Sequence, residues 1–472
     1  MKSVKKNIIY NVLYQLLILI VPLITIPYIS RILGADGVGT YSYTYSIAYY
    51  FMIISLLGIN NYGNRTIAKS RDNKKIMSQN FWNIYFIQLF MSIIMIVLYI
   101  LYMLIFNNQY TIIAWLQIFF IISSMFDINW FFFGIEEFKL TVTRNSILKI
   151  ITLVLIFTLV KKPTDLWKYT LIMSASTLVS QLILWPFLLK KIEKIEKIDF
   201  KTLKVHFKQC LILFIPVIAV SLYKIMDKVM LGYLSDVAEL GFYEQAEKII
   251  NVPCAIITAL GTVMLPRISN LVANKNHEKV ISYIEKSINV IMFLAFPMMF
   301  GIIAISHNFI PMYLGADFSK SATILNLLSV TIIFSSFANV LRTEYLLPHE
   351  LDKIYIWSVI GGAIVNLAAN FLLIPKYSGI GASIGTIFAE FFVFFVQSFA
   401  LRKKIPIANY LKSVLPFFGK SMIMFLIVYS INFMQIHNVL IRILLQVTLG
   451  IVIYGVMNVG YIRNLFGRRF KK

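Results

Sequence analysis

Apolar stretches of about 18 residues or more recur along this chain from Ile8 to Tyr461, and no water-soluble fold could hide them all. At 1.5 Å per residue, each is long enough as a helix to cross a hydrocarbon core of about 30 Å. Composition points the same way. The 472 residues are 59% hydrophobic and 14% charged, with a mean hydropathy of +0.78. Soluble domains are typically about 45 to 50% apolar and about 25% charged. The expected fold class is therefore an all-α polytopic membrane protein, with no soluble part large enough to fold alone.

The basic start, Lys2, Lys5 and Lys6, precedes an apolar run that continues through Pro22 and Pro27 to about Leu33. That is too long for a cleaved signal and reads as a retained first helix. Fourteen transmembrane helices are expected, over about 8–33, 40–62, 81–106, 111–133, 145–160, 168–189, 209–234, 245–265, 287–306, 319–340, 354–374, 379–400, 413–434 and 438–461. With the N-terminus inside, 33 of the 44 Lys and Arg fall in inner segments and seven in outer ones. This bias supports an even helix count, with both termini cytoplasmic. It also accounts for the net charge of +23, which would otherwise suggest nucleic acid; the chain has no soluble basic module to make such a footprint. Cys210 and Cys254 read as small buried hydrophobes, so neither a disulfide nor a metal cluster is expected.

No proposed loop exceeds about 20 residues. The longest, 190–208, spaces Ile192, Ile195, Ile198 and Leu203 among lysines and glutamates, as an amphipathic helix on the inner surface would. It would join two related halves. The stretch from Leu16 can be laid on that from Leu211, pairing Pro22 with Pro216, Gly34 with Gly232 and Gly39-Thr-Tyr41 with Gly241-Phe-Tyr243. WFFFGIEEFK from Trp130 likewise pairs with EYLLPHELDK from Glu344. The organisation expected is an N-lobe of six helices over 1–189, the linker 190–208, a C-lobe of six over 209–402, and two further helices with a basic tail over 403–472.

Two such lobes suit alternating access, so charge at depth is the chemistry to seek. Lys224, Asp227 and Lys228 share one helical face amid Ile225, Met226, Val229 and Met230. A lysine at bilayer centre costs at least about 2.5 to 3.5 kcal/mol, so it normally faces a wet cavity or a partner. The functional reading is a cationic site for an anionic substrate, since one aspartate leaves the trio positive. The bland reading is a self-neutralising pair or lysines reaching to the interface. Lys248 may be counted with the site or as the partner of Glu244 or Glu247, with nothing to choose between these. Asp127 and Glu390 are isolated acids able to carry a coupling ion, although Asp127 also reads as an interfacial carboxylate capped by Asn129. Pro22, Pro27 and Pro216 are candidate hinges. The five histidines lack metal-ligand spacing and there is no P-loop, so neither a metal, a cofactor, a catalytic constellation nor an ATP-driven pump is expected.

The stretches YISRILGADGVGTYSYTYSI over 28–47, WFFFGIEEFK, MDKVMLG with ELGFYEQAEKI over 226–250, and YSGIGASIGTIFAEF over 377–391 together resemble the Wzx-type polysaccharide repeat-unit flippases. These belong to the superfamily of multidrug and toxin extruders and lipid II flippases. The resemblance implies a fold like those proteins and translocation of an undecaprenyl-pyrophosphate-linked oligosaccharide from the cytoplasmic to the outer face of the bacterial cell membrane, for capsule or O-antigen synthesis. The sugar would pass through a cationic central cavity, with Lys224, Lys228, Lys248 and Arg31 as substrate contacts. The last two helices would form a groove for the lipid tail. Arg31, near the outer end of the first helix, reads equally as a structural cap. A polymerase and chain-length machinery are implied as partners of a monomer. The alternatives are a cation-coupled drug extruder of the same fold and, from another class, a membrane-embedded glycan polymerase.

Overall fold

The computed structural model describes residues 2–106, 110–194 and 200–467, and side chains from residue 20 onward except 223, 262, 466 and 467. The side chains of Lys2, Lys5 and Lys6, part of the 190–208 linker and the end of the basic tail lie outside what is described. The chain forms two compact units, 1–233 and 234–472. The first holds α1 (Lys2–Leu56), α2 (Ile59–Ser70), α3 (Lys74–Ile105), α4 (Thr111–Leu116), α5 (Ile118–Met125), α6 (Asn129–Gly134), α7 (Phe138–Leu159), α8 (Leu166–Leu182), α9 (Trp185–Leu189) and α10 (Phe200–Leu234). The second holds α11 (Val237–Ala273), α12 (His277–Leu314), α13 (Lys320–Ser329), α14 (Thr331–Val340), α15 (Asp352–Leu401), α16 (Ile407–Ser430), α17 (Val439–Met457) and α18 (Val459–Gly467).

Among the described residues, 12 helices are long and apolar enough to cross a membrane, where the sequence led us to expect 14. The difference arises at two places. The candidate spans Ile20–Ser70 and Asp352–Leu401 run 51 and 50 residues, and each contains a residue with non-helical backbone: Gly34 (φ 68°, ψ −178°) and Ser378 (φ 51°, ψ −127°). Both lie where the sequence reading placed a loop between two helices. Pro22 and Pro27, expected as hinges, sit inside helical backbone ahead of the break, and Pro216 sits inside α10. Proline removes one donor but keeps a helix-compatible φ, whereas Gly34 occupies the left-handed region that glycine alone enters freely.

Two other boundaries shift. The segment expected over 111–133 is interrupted at Gln117 and at 126–128. From Phe200 the expected surface helix of the linker is instead the opening of α10, which runs on without interruption to Leu234. The first unit therefore includes α10.

The 126–128 break governs the packing of the first unit. It frees carbonyls that lipid cannot satisfy, and buried side chains take them up. Gln88 Nε2 donates to the Ser124 and Asp127 carbonyls at 2.6 and 2.8 Å. Trp130 Nε1 donates to Gln88 Oε1 at 3.0 Å and to the Asp127 carbonyl at 3.1 Å, and Trp185 Nε1 to the Phe126 carbonyl at 3.1 Å. The Trp130 ring is wholly buried against Gly63 of α2, where a Cβ would stand 2.5 Å from ring atom Cε3. Trp130 belongs to a core with Phe81, Ile84, Phe131, Leu188 and Cys210, so α10 is sealed into the same unit. Tyr62 and His206 Nδ1 add a buried hydrogen bond of 2.7 Å between α2 and α10.

In the second unit the Ser378 break is held in a similar way. The Gly379 amide donates to Glu239 Oε2 at 3.2 Å, the Lys320 ammonium pairs with the other oxygen of that carboxylate, and Ser235 Oγ donates to Ser378 Oγ at 2.9 Å. An amide released by the break thus meets a charged acceptor. Farther on, α12 packs on α16 and α17, with Tyr410 donating to the Ile281 carbonyl at 3.1 Å and Tyr454 to the Phe293 carbonyl at 2.9 Å.

Gly58 turns the chain between α1 and α2 at φ 73°, and a Cβ there would meet the Phe214 amide nitrogen at 2.9 Å and the Cys210 carbonyl at 3.0 Å. Left-handed strain costs of order 1–3 kcal/mol, and backbone atoms cannot step aside as a flexible side chain can. Gly58→Ala should lower the thermal midpoint of the detergent-purified chain by several degrees. Gly455→Ala, with nothing within 4 Å of its Cβ, should leave the midpoint unchanged.

Candidate functional site

Within the first unit α1, α2, α7, α8 and the 127–133 stretch enclose a cavity of about 710 Å³. Its wall is polar for a membrane bundle. Asn60, Asn61 and Asn64 come from α2, Asn145, Lys149 and Thr152 from one face of α7, and Ser176, Thr177, Ser180 and Gln181 from α8. Half-buried Asp127 and buried Arg144 add two charges to it.

These two charges are linked through an amide. Asp127 Oδ1 accepts from the Asn129 backbone at 3.0 Å and from Asn129 Nδ2 at 2.7 Å. The same Nδ2 donates to Gln181 Oε1 at 2.9 Å, and Asn129 Oδ1 accepts from Arg144 Nη2 at 2.9 Å. Arg144 also donates to Asn145 Oδ1 from Nη2 at 2.7 Å and from Nε at 3.1 Å, and from Nη1 to the Ser180 carbonyl at 2.9 Å. The guanidinium fork thereby ties α7 to α8 and to the Asp127 turn. Only a planar group with several donors reaches all three.

Of the residues singled out in the sequence, Asp127 and Pro22 line this cavity. Asn129 does cap Asp127, as the bland reading had it, but on a cavity wall. Arg31 is exposed just before the Gly34 break. On α10, Asp227 is buried at 3% exposure beside Tyr50, Lys224 is exposed and Lys228 half-buried. In the second unit Lys248 pairs with Glu244 at 3.1 Å, and Glu390 is half-buried on α15. A separate cavity of about 390 Å³ lies between α12, α16 and α17, lined by Phe293, Pro297, Gly301, Met424, Val447 and Tyr454, with Gln446 as a polar group in its wall.

The sequence profile of the family described as "Polysaccharide biosynthesis protein" matches residues 4–272, more than half of the chain. The chain belongs to that family. The MatE profile also matches, over 213–346. Two bacterial relatives carry the name "Putative O-antigen transporter". The one from Escherichia coli (strain K12) is 23% identical over 82% of this chain and 94% of its own length. The one from Shigella dysenteriae is 25% identical over 82% and 97%. Among solved structures, a "Lipid II flippase MurJ, inward closed conformation" superposes with a TM-score of 0.77 at 17% identity, covering 96% of this chain and 99% of that one. An inward-facing multidrug resistance MATE family transporter superposes at 0.58 and 14% identity, covering 84% and 99%. At these identities the structural likeness shows the fold, which is MurJ- and MATE-like, and the family match places the chain among polysaccharide biosynthesis proteins.

In this polysaccharide-family chain, the residues that sequence reasoning missed are Arg144, Asn145 and Lys149. Both cations belong to the 139–149 stretch counted among the inner-segment charges, Lys149 falling inside the helix expected over 145–160 and Arg144 just before it, but α7 begins at Phe138 and carries both. The signal was present in the spacing. Asn145, Lys149 and Thr152 recur at i, i+4 and i+7 on an apolar helix, which is one polar stripe.

Arg144→Ala removes the fork that holds Asn129, Asn145 and the Ser180 carbonyl and leaves Asp127 without its linked cation, and each acceptor left unpaired costs about 1–3 kcal/mol. We expect a clear fall in thermal midpoint, with Asp127→Asn nearer neutral and the double variant recovering part of the loss. Additive losses in this cycle would show that the two charges are not coupled.

Proposed function

We propose that the chain is a flippase that moves an undecaprenyl-pyrophosphate-linked oligosaccharide unit from the cytoplasmic to the outer face of the bacterial cytoplasmic membrane, for capsule or O-antigen synthesis. The observation that carries this reading is the polar cavity of the first unit in a chain of the polysaccharide biosynthesis family. Carboxamides and hydroxyls are the groups that exchange hydrogen bonds with sugar hydroxyls, and they have no reason to line a cavity meant for an apolar cargo. The relatives named as O-antigen transporters support the same cargo class.

The finer features follow. Each of the two broken helices, at Gly34 and Ser378, crosses the membrane twice, giving 14 crossings with both termini cytoplasmic. Of the fourteen crossings, 1 to 6 and 7 to 12 work as the two lobes of an alternating-access carrier, with the seventh, in α10, serving the second lobe although it packs in the first compact unit. Lys224 and Lys228 meet the anionic part of the cargo, while Lys248 acts as the partner of Glu244. The apolar cavity between α12, α16 and α17 takes the lipid tail. An anion leaving a negative-inside cell moves downhill by about 2.3 kcal/mol per charge per 100 mV, so the membrane potential alone can drive export.

The MatE match over 213–346 favours one other reading, a cation-coupled extruder of drugs. Dye efflux from vesicles that depends on an ion gradient would establish it. For the flippase, glutamine at both Lys224 and Lys228 should abolish surface polysaccharide in a cell that depends on this chain, with protein level unchanged. Normal surface polysaccharide in that variant would remove the two lysines from the site.

A further inference from the structure

Three charged side chains with opposed roles line the first-unit cavity: Asp127, Arg144 and Lys149. Asp127 and Arg144 are joined through Asn129 and offset one another. Arg144 is already committed to Asn129, Asn145 and the Ser180 carbonyl, so its fork is not available to a ligand without dismantling the wall. Lys149 differs. It is half-buried on the cavity face of α7, and the described residues give its ammonium no hydrogen bond and no ion pair. Asn145 precedes it by four residues and Thr152 follows by three, so an amide and a hydroxyl flank it on the same face. Across the cavity stand the amides of α2, Asn60, Asn61 and Asn64. A lysine in such a place normally has a partner, because withdrawing an uncompensated charge from water is costly.

We infer that Lys149 is the contact for an oxyanion carried by the cargo, with the Asn145 carboxamide binding a remaining oxygen and Thr152 Oγ1, which donates to Ser176 Oγ at 2.9 Å, accepting from a neighbouring cargo hydroxyl. The chemistry fits a carboxylate on an acidic sugar and a phosphate of the lipid carrier alike, since an ammonium recognises either as a point charge. This inference rests on the flippase reading for the class of cargo. It adds a subsite inside the first unit, apart from Lys224 and Lys228.

The test uses the full chain in nanodiscs of neutral lipid, with sodium pyrophosphate, sodium glucuronate and glucose as probes. Acylation of Lys149 by an amine-reactive reagent is followed by mass spectrometry of its peptide. One of the two oxyanions should slow acylation about threefold or more at saturation, and glucose should not. Protection by pyrophosphate alone assigns the carrier phosphates, and protection by glucuronate alone assigns an acidic sugar. Thermal-shift titration should show about tenfold weaker binding of that probe in Lys149→Gln and near-normal binding in Lys149→Arg, the loss expected for one charge-assisted hydrogen bond. Absence of protection by both oxyanions, or equal protection by glucose, overturns the inference. The wild-type labelling decides this even if Lys149→Gln fails to fold. Should protection be absent while the wild-type chain still restores surface polysaccharide to a cell lacking it, the subsite fails and the flippase reading stands.

Discussion

A break in a membrane helix exposes backbone groups that its own ladder no longer pairs, and the described structure depends on how those groups are satisfied. At 126–128 the freed carbonyls of Ser124, Phe126 and Asp127 are taken by Gln88, Trp130 and Trp185. At Ser378 the released Gly379 amide is taken by Glu239, itself held by Lys320. Each of these two breaks is thus a fixed turn, held by side chains from other elements.

The candidate site is a consequence of the first of these turns. With its backbone pinned by Gln88 and Trp130, Asp127 presents its carboxylate to Asn129, and Asn129 in turn accepts from Arg144. Arg144 holds α8 through the Ser180 carbonyl and Asn145 on its own helix. The wall is therefore assembled before any cargo arrives, and its charges are largely matched among themselves. A preformed polar wall with a small surplus of positive charge suits a ligand that is mostly hydroxyl and partly anionic, because it discriminates without holding the ligand too tightly for release.

Much of this was legible in the sequence, and what was not has a physical reason. Membrane character and most helix positions follow from apolar length, and the breaks near Gly34 and Ser378 from short polar or glycine-containing interruptions. The resemblance to polysaccharide flippases pointed to the family the chain belongs to. Hydropathy does not register a break whose polar groups are satisfied by distant buried side chains, so the interruption at 126–128 inside the apolar run 111–133 was missed. Nor does it separate a cation in a loop from a cation on a helix just inside it, which is how Arg144 and Lys149 came to be counted as loop charges. Conversely Lys248, ambiguous by spacing, resolves as a partner of Glu244 once side chains are placed. The prolines draw attention because they lack a donor, yet the non-helical residues inside α1 and α15 are Gly34 and Ser378, identified by their φ angles.

That the chain moves a lipid-linked oligosaccharide across a bilayer is tested most directly by reconstitution. Purified full-length protein is placed in liposomes containing a fluorescently tagged undecaprenyl-pyrophosphate oligosaccharide in both leaflets, and a membrane-impermeant reductant then bleaches the accessible tag. Translocation predicts that bleaching proceeds past the outer-leaflet share towards completion in liposomes containing the chain, and stops at about half in those without it. Bleaching that stops at the same level in both, with the protein folded and inserted, would contradict the account.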